Sequence, residues 1–260
     1  MDKVKYVNRF GEVLDMRSRE IMSSYLALKN FTHSIENGKL VGQGKSVKLP
    51  VVCATRDDAN RLINLMEKDS LQNVFGKLYI NDWYIKVLYQ GLTIISEHVE
   101  KIKVEITFYV ENSVYSKETS YTISPETIAQ GTNGINFPFT YPFNFSTDAL
   151  AMSQVANDEM MDADFELQIS SPLPSISISI DANLYQIDAE LKENETFVLN
   201  TANKEVYKIS NGEKTNLFGA ASDYYYIFSP LSMGTHRITW QGEHTMLFKV
   251  IEHRRMPTWM

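Results

Sequence analysis

The first stretch whose residue types could hold a ligand is the glycine-rich run Gly38-Lys-Leu-Val-Gly-Gln-Gly-Lys-Ser46. A phosphate loop needs a glycine five residues ahead of its Gly-Lys-Ser, and position 39 is Lys39; Gly38 is one residue too far away. Such a loop must also open a helix whose amides cradle the phosphates, whereas a strand pattern follows here. The glycines therefore read as turn residues. The histidines, His33, His98, His236, His244 and His253, are scattered, and only His236 and His244 lie close, flanking the turn Gln241-Gly242. Counting outward from that turn sets His244 opposite Thr239 and His236 opposite Leu247. The two then point to opposite sheet faces and do not share a metal. The carboxylate pairs Asp57-Asp58 and Asp162/Asp164 have polar surroundings, with nothing to push one pKa above the other for acid/base work. No Gly-x-Ser-x-Gly elbow, His-Glu-x-x-His pair or dinucleotide glycine fingerprint occurs. The expectation is no catalytic residue, no cofactor and no metal.

Aromatic side chains supply the remaining binding chemistry. Trp240-Gln-Gly-Glu243 is similar to half of the galectin sugar signature, in which a tryptophan stacks on galactose and a nearby glutamate orients an arginine. Position 245 is Thr245 and the His-x-Asn-x-Arg half is absent, so a core or rim tryptophan is the competing reading. In Tyr224-Tyr225-Tyr226, alternation puts Tyr225 on one face and its neighbours on the other. At least one ring is then exposed, and exposed tyrosine often marks a protein interface. Tyr224, Tyr225, Tyr226 and Trp240 are the candidate interface or sugar-stacking residues.

The elements that would position them are mostly strands. The organising stretch is Lys45 to Gly91, read as strand, helix and hairpin. Residues 45–53 alternate at period two. Thr55-Arg-Asp-Asp58 supplies a cap and first-turn acids, and Ala59, Leu62, Ile63, Leu65 and Met66 make one face of a helix over 57–69 apolar. Asn81-Asp82 marks a two-residue turn that pairs Ile80 with Trp83 and Leu78 with Ile85. The helix is expected to lie on that face. Strands are also expected at 5–15 with a turn at Gly11, at 91–95, 101–110 and 114–123, whereas 17–44 is irregular around Asn37-Gly38. Prolines, glycines and aromatics crowd 124–145, which places a domain boundary near 125–140 and divides the chain into 1–135 and 136–260. In the second half, Ser175-Ile-Ser-Ile-Ser-Ile180 alternates cleanly, and short strands are expected at 185–191, 196–200, 205–210, 224–228, 236–240 and 245–251. Asn211-Gly212 is a strong hairpin signal. The fold class is mainly β with one short helix in the first domain, the second domain being a β-sandwich.

Composition narrows the function. The chain has 260 residues, 43% hydrophobic, enough for one large domain or two ordinary ones. A net charge of −7 argues against non-specific binding to nucleic acid or anionic lipid. The single cysteine, Cys53, lies in an apolar run and reads as a small buried hydrophobe. The first residues lack the apolar run of a signal peptide and no later segment is long enough to span a membrane, so cytoplasmic synthesis is expected. The sequons at Asn30, Asn144 and Asn194 then read as chance matches.

Taken in order, several stretches resemble the distal tail proteins of bacteriophages with long noncontractile tails. They are the helix Asp58-Ala-Asn-Arg-Leu-Ile-Asn-Leu-Met-Glu-Lys-Asp69, Phe75-Gly-Lys-Leu-Tyr-Ile80, the pair Trp83-Tyr84, and the bridge Tyr141-Pro-Phe-Asn-Phe145. Tyr225-Tyr-Ile-Phe-Ser-Pro-Leu-Ser-Met-Gly-Thr-His-Arg-Ile238 completes the set. The resemblance implies an N-terminal β-rich domain, sandwich- or split-barrel-like and carrying the helix, followed by a galectin-like jelly-roll sandwich. It further implies a homohexameric ring in the virion tail, joining the last tail-tube ring to the tip or baseplate hub, with DNA only as a passing duplex. The chain departs from the pattern at Phe143, where a tyrosine is common, and residues 146–165 find no counterpart. It lacks an inserted carbohydrate-binding domain. The rival expectation is a carbohydrate-binding sandwich built around Trp240; a glycosidase would need a distinguished carboxylate pair.

Overall fold

The computed structural model describes residues 3–24, 28, 33–36, 39–42, 44–98, 101–125, 150–222, 226–242 and 244–256, with backbone alone over 33–36 and 39–42 and at 150. The described residues are mainly β with one α-helix. They separate into two compact units, residues 1–117 with 253–260 and residues 118–252. Of the boundary expected near 125–140, positions from 126 onward lie outside the described residues, as does the turn Asn37-Gly38.

Unit 1 is built on one antiparallel sheet. Strands β1 (Val4–Val7) and β2 (Val13–Asp15) form the expected first hairpin, with Gly11 at φ 79° in its turn. β3 (Ile21–Ser23) is a short strand, and β4 (His33–Glu36) with β5 (Lys39–Gly42) forms a separate two-stranded hairpin. β6 (Lys45–Cys53) leads into helix α1 (Arg56–Ser70), then β7 (Gly76–Ile80), β8 (Trp83–His98) and β9 (Lys101–Val110). The sheet order is β2-β1-β7-β8-β9-β6-β3. β8 runs unbroken through Gly91, where a separate strand was expected. Register shifts at Tyr89/Gly91 and Ile94/Ser96 absorb the extra residues as bulges, so the ladder to β9 continues.

The helix starts where its chemistry says it must. Thr55 has extended φ/ψ, its Oγ1 accepts from the Asp58 amide at 3.1 Å, and Asp58 Oδ2 accepts from the Thr55 amide at 3.1 Å. This reciprocal capping box satisfies two amides that have no partner within the helix. Thr55→Ala should therefore cost about 1 kcal/mol, read as a lower urea midpoint at unchanged slope. Ala59, Leu62 and Met66 point inward and join one core with Leu78, Ile80, Trp83, Ile85 and Val87. Each large side chain buried there contributes roughly 1.5–3 kcal/mol. The turn at Asn81 (φ 55°) sets Ile80 opposite Trp83 and Leu78 opposite Ile85, as the sequence requires. Trp83 is 3% exposed, with the Arg254 guanidinium 4.4 Å from its ring centroid and the Lys117 ammonium 5.7 Å from it. Cys53 is fully buried, and burial, with the Asp58 carboxylate adding to it, pushes its thiol pKa up to about 11. It behaves as the expected hydrophobe.

The end of α1 is held differently. Asp69, in the last turn, is wholly buried, where the helix dipole disfavours an acid. Two donors compensate: the Tyr6 hydroxyl gives Oδ2 a bond of 2.6 Å, and the Arg9 amide gives Oδ1 one of 3.1 Å. Burial, then the bond to Asp69 and its charge, pushes the Tyr6 hydroxyl far above the usual tyrosine pKa. This pair ties the first strand to the helix terminus.

Unit 2 is a β-sandwich. β10 (Tyr115–Ile123) enters it, followed by β11 (Leu150–Asn157), β12 (Asp164–Ile169), β13 (Ile176–Ile180), β14 (Asn183–Ile187), β15 (Glu195–Asn200), β16 (Glu205–Ser210) and β17 (Glu213–Asn216). A 3-10 turn at Phe218–Ala220 precedes β18 (Gly234–Gln241) and β19 (Met246–Arg254). One layer has the order β17-β16-β15-β12-β19-β10 and the other β11-β18-β13-β14. Phe165, Phe197 and Phe248 from the first layer meet Ile178, Tyr185 and Trp240 from the second in one core. Phe165 stacks on Phe248 at 5.0 Å and takes Tyr185 edge-on at 5.5 Å. Asn211 (φ 51°) and Gly212 (φ 83°) make the expected hairpin between β16 and β17.

Two expectations fail in this unit, and a stretch for which no element was expected contains strands. The stretch 146–165, left without a place, contains all of β11 and the start of β12. Its inward positions are small (Ala151, Val155), so its alternation is faint. Residues 226–228, expected to end a strand, do not: 227–228 form a turn that buries both Ile227 and Phe228. β18 and β19 do not form the expected final hairpin. β18 pairs with β11 and β13, β19 pairs with β12, and the chain crosses between layers near Gly242 (φ 97°). Both strands carry apolar rows, and opposed layers let the two rows face each other across the core. The His236/Leu247 and His244/Thr239 pairings therefore do not exist. His236 Nδ1 instead meets Asp181 Oδ2 at 2.6 Å, and its Nε2 meets the Ser232 carbonyl at 2.7 Å.

A polar cluster crosses the first layer of unit 2. Glu166 accepts from Lys249 Nζ (3.1 Å), Gln168 Nε2 (2.8 Å) and Asn200 Nδ2 (2.8 Å). Burial alone would raise its pKa, but Lys249, with Gln168 and Asn200, holds it below the usual carboxylate range. With the folded pKa below the unfolded one, Glu166 stabilises the unit fully above the unfolded value of about 4.3. That contribution is lost as pH falls through the folded value. Urea titrations from about pH 7 to about pH 3 should show stability falling, and Glu166→Gln should flatten the fall.

Candidate assembly surfaces

The sequence-predicted site residues do not converge. Tyr224 and Tyr225 lie outside the described residues. Tyr226 is 58% exposed, its ring edge-on to Phe228 at 6.1 Å, and Phe228 in turn stacks on the exposed Phe218 at 6.0 Å. Trp240 stands elsewhere: it is 1% exposed, paired with Ala151 on one side and Ile178 on the other, and its Nε1 donates to the His244 carbonyl at 3.2 Å. A ring so enclosed offers no face to a sugar. One carboxylate of each pair is engaged: Asp58 Oδ2 accepts from the Thr55 amide in the cap of α1, and Asp164 Oδ1 accepts from Thr201 at 3.1 Å. Burial holds the His244 pKa below the ordinary histidine value, and among the described residues neither of its ring nitrogens has a partner.

What the sequence reading missed are apolar surfaces. In unit 1, Met22, Ile94 and Ile95 are all more than half exposed, and Met22 and Ile95 border a groove of about 520 Å³ with Pro50 and Val52. At the C-terminal end of α1, Phe10 and Leu71 flank a second groove of about 660 Å³, whose polar side is the Lys68–Glu12 ion pair at 2.7 Å. In unit 2, Met160 and Met233 are exposed on loops joined by Asn157, whose Nδ2 donates to the Met161, Leu231 and Ser232 carbonyls. Exposed apolar patches are a general signature of surfaces that meet a protein, a membrane or a ligand. The signal was present in principle, as Ile94-Ile95 cannot both face inward from one strand. Among the described residues, no helix is long and apolar enough to cross a membrane.

The described residues thus form two β-rich units that present exposed apolar patches and open grooves. Neither a protein-family model nor a curated protein matches the sequence. Solved structures do match. The Dit protein of phage SPP1, described as a paradigm of the hub adsorption apparatus in phages infecting Gram-positive hosts, superposes with a TM-score of 0.53 at 8% identity over 98% of this chain and 99% of that one. A chain of the phage P2 baseplate in its activated conformation with calcium superposes at 0.61 and 14% identity, over 99% of this chain and 100% of that one. The same baseplate with strontium gives 0.60 at 14%, with equal coverage. The chain has the fold of the distal tail hub proteins of phages, from end to end.

Proposed function

We propose that this chain is a nonenzymatic structural protein of a bacteriophage tail. Copies of it close into a homohexameric ring that joins the end of the tail tube to the tail tip or baseplate, and duplex DNA passes through the ring without sequence-reading contacts. It is made in the bacterial host cytoplasm and resides in the virion tail. The observation that carries this reading is the end-to-end likeness to hub and baseplate chains, 98–100% of both partners in each comparison. Residues 1–135 form the ring and residues 136–260 the galectin-like sandwich. A heterologous contact that persists in a virion needs roughly 1,000 Å² or more. The β4–β5 hairpin, separate from the main sheet, is the arm that reaches a neighbour, and the Met22/Ile95 groove is the apolar surface a neighbour covers. Light scattering across concentration tests this directly. A species of six times 29.8 kDa is expected, alone or with tail-tube protein added. A strict monomer under every condition would sink the reading.

A further inference from the structure

The hub reading leaves unused a cleft of about 410 Å³ on unit 2, lined by Lys204, Glu205, Tyr207, Lys214, Asn216 and Phe218. That volume lies within the range of small-molecule sites. Its walls are aromatic: Phe218 is 61% exposed and propped from behind by its stack on Phe228, and Tyr207 stands across from Asn216 in the β16–β17 ladder. Its polar groups are fixed but unspent. Asn216 Oδ1 accepts from the Phe218 amide at 2.7 Å, which sets the side chain and leaves Nδ2 as a donor. The Lys214 ammonium sits 4.3 Å from the Tyr207 ring centroid. Among the described residues, the Lys204 ammonium, the Glu205 carboxylate, the Tyr207 hydroxyl and Asn216 Nδ2 have no partner. Lys204 is held at φ 55°, a left-handed conformation unusual for a lysine, so the turn presents it at the rim at some backbone cost.

We propose that this cleft is a binding site for an uncharged saccharide, one or two sugar rings in extent. The flat C–H face of a pyranose suits the Phe218 and Tyr207 rings, while its hydroxyls, each donor and acceptor, match the mixture of ammonium, amide, hydroxyl and carboxylate around them. An anionic polymer suits it poorly. Unit 2 carries 18 acids against 6 lysines and arginines, a net −12, whereas unit 1 carries 14 against 19, a net +5; together they make the chain's −7. A field of that sign repels polyphosphates from the whole unit despite the two local lysines. The site stands apart from the hub reading, since a ring could form without it and a monomer could possess it.

Titration calorimetry of the full chain against glucose, galactose, N-acetylglucosamine and chitotriose tests it, with a short DNA duplex as the polyanion probe. Millimolar or tighter binding of at least one saccharide is expected. Phe218→Ala and Asn216→Ala should each weaken it about tenfold or more, the former through a lost ring face. Both side chains are exposed, so unfolding midpoints should stay unchanged, and Met22→Ser in unit 1 should leave binding intact. No saccharide binding to about 50 mM, where a millimolar site would be saturated, overturns the proposal. Saccharide binding that survives both cleft substitutions also overturns it, as does binding of the duplex alone through Lys204 and Lys214. Ring mass, read on the same samples, separates this outcome from the fate of the hub reading.

Discussion

Gly76→Ala should strongly destabilise unit 1 while leaving unit 2 intact. A Cβ at this position would lie 2.1 Å from the Tyr6 hydroxyl oxygen, 2.5 Å from Tyr6 Cζ and 2.8 Å from Asp69 Oδ2. None of these is the free end of a flexible chain: Tyr6 and Asp69 are wholly buried and bonded to each other at 2.6 Å. Relief means moving the ring, the carboxylate or the start of β7; moving the ring disturbs the Tyr6–Asp69 bond, and moving the carboxylate disturbs the Arg9 amide bond as well. Overpacking costs about 1–3 kcal/mol and a disrupted buried hydrogen bond to a charged group about 1.5–3 kcal/mol. A sum of about 3–5 kcal/mol is a large share of the roughly 5–15 kcal/mol that holds an ordinary domain. Calorimetry should show the transition of unit 1 lowered by roughly 10–20 °C. Combining Gly76→Ala with Tyr6→Phe should cost less than the two singles summed, because the phenylalanine ring lacks the oxygen that clashes hardest. Strict additivity would mean that the glycine serves the turn and not the lock.

Trp240→Ala should be the most damaging single change in unit 2, and its effect should be on folding. The ring is enclosed between Ala151 and Ile178 of its own layer and the core beneath, and its Nε1 satisfies the His244 carbonyl. Truncating so large a buried side chain costs about 3–5 kcal/mol. The expected result is a lower unfolding midpoint for unit 2, whereas an unchanged midpoint with lost sugar affinity would restore the galectin-like reading of this residue. Phe218→Ala makes the complementary case, since it removes an exposed ring that supports little of the core.

The sequence by itself determined the elements whose physics is local. Thr55 and Asp58 satisfy the first amides of α1, and Ala59, Leu62 and Met66 recur on one face, so the helix needed no partner to be recognised. Asn81 and the alternation on either side of it set the register from Gly76 to Val87, because a two-residue turn leaves only one pairing that keeps the apolar row inward. Ile176, Ile178 and Ile180 were legible for the same reason. Only the tertiary structure decided which strands meet. β18 and β19 carry the alternation of a hairpin and end up in opposite layers, since period two says which side of a strand is apolar and nothing about which strand lies beside it. That choice encloses Trp240. It also takes the three-dimensional division into units to show that a modest −7 conceals a basic unit and a strongly acidic one. The cleft at Phe218 is likewise out of reach of sequence pattern. Its walls come from a ladder pair, a turn and a 3-10 segment, and concavity arises from how backbones cross and not from the order of residues along them.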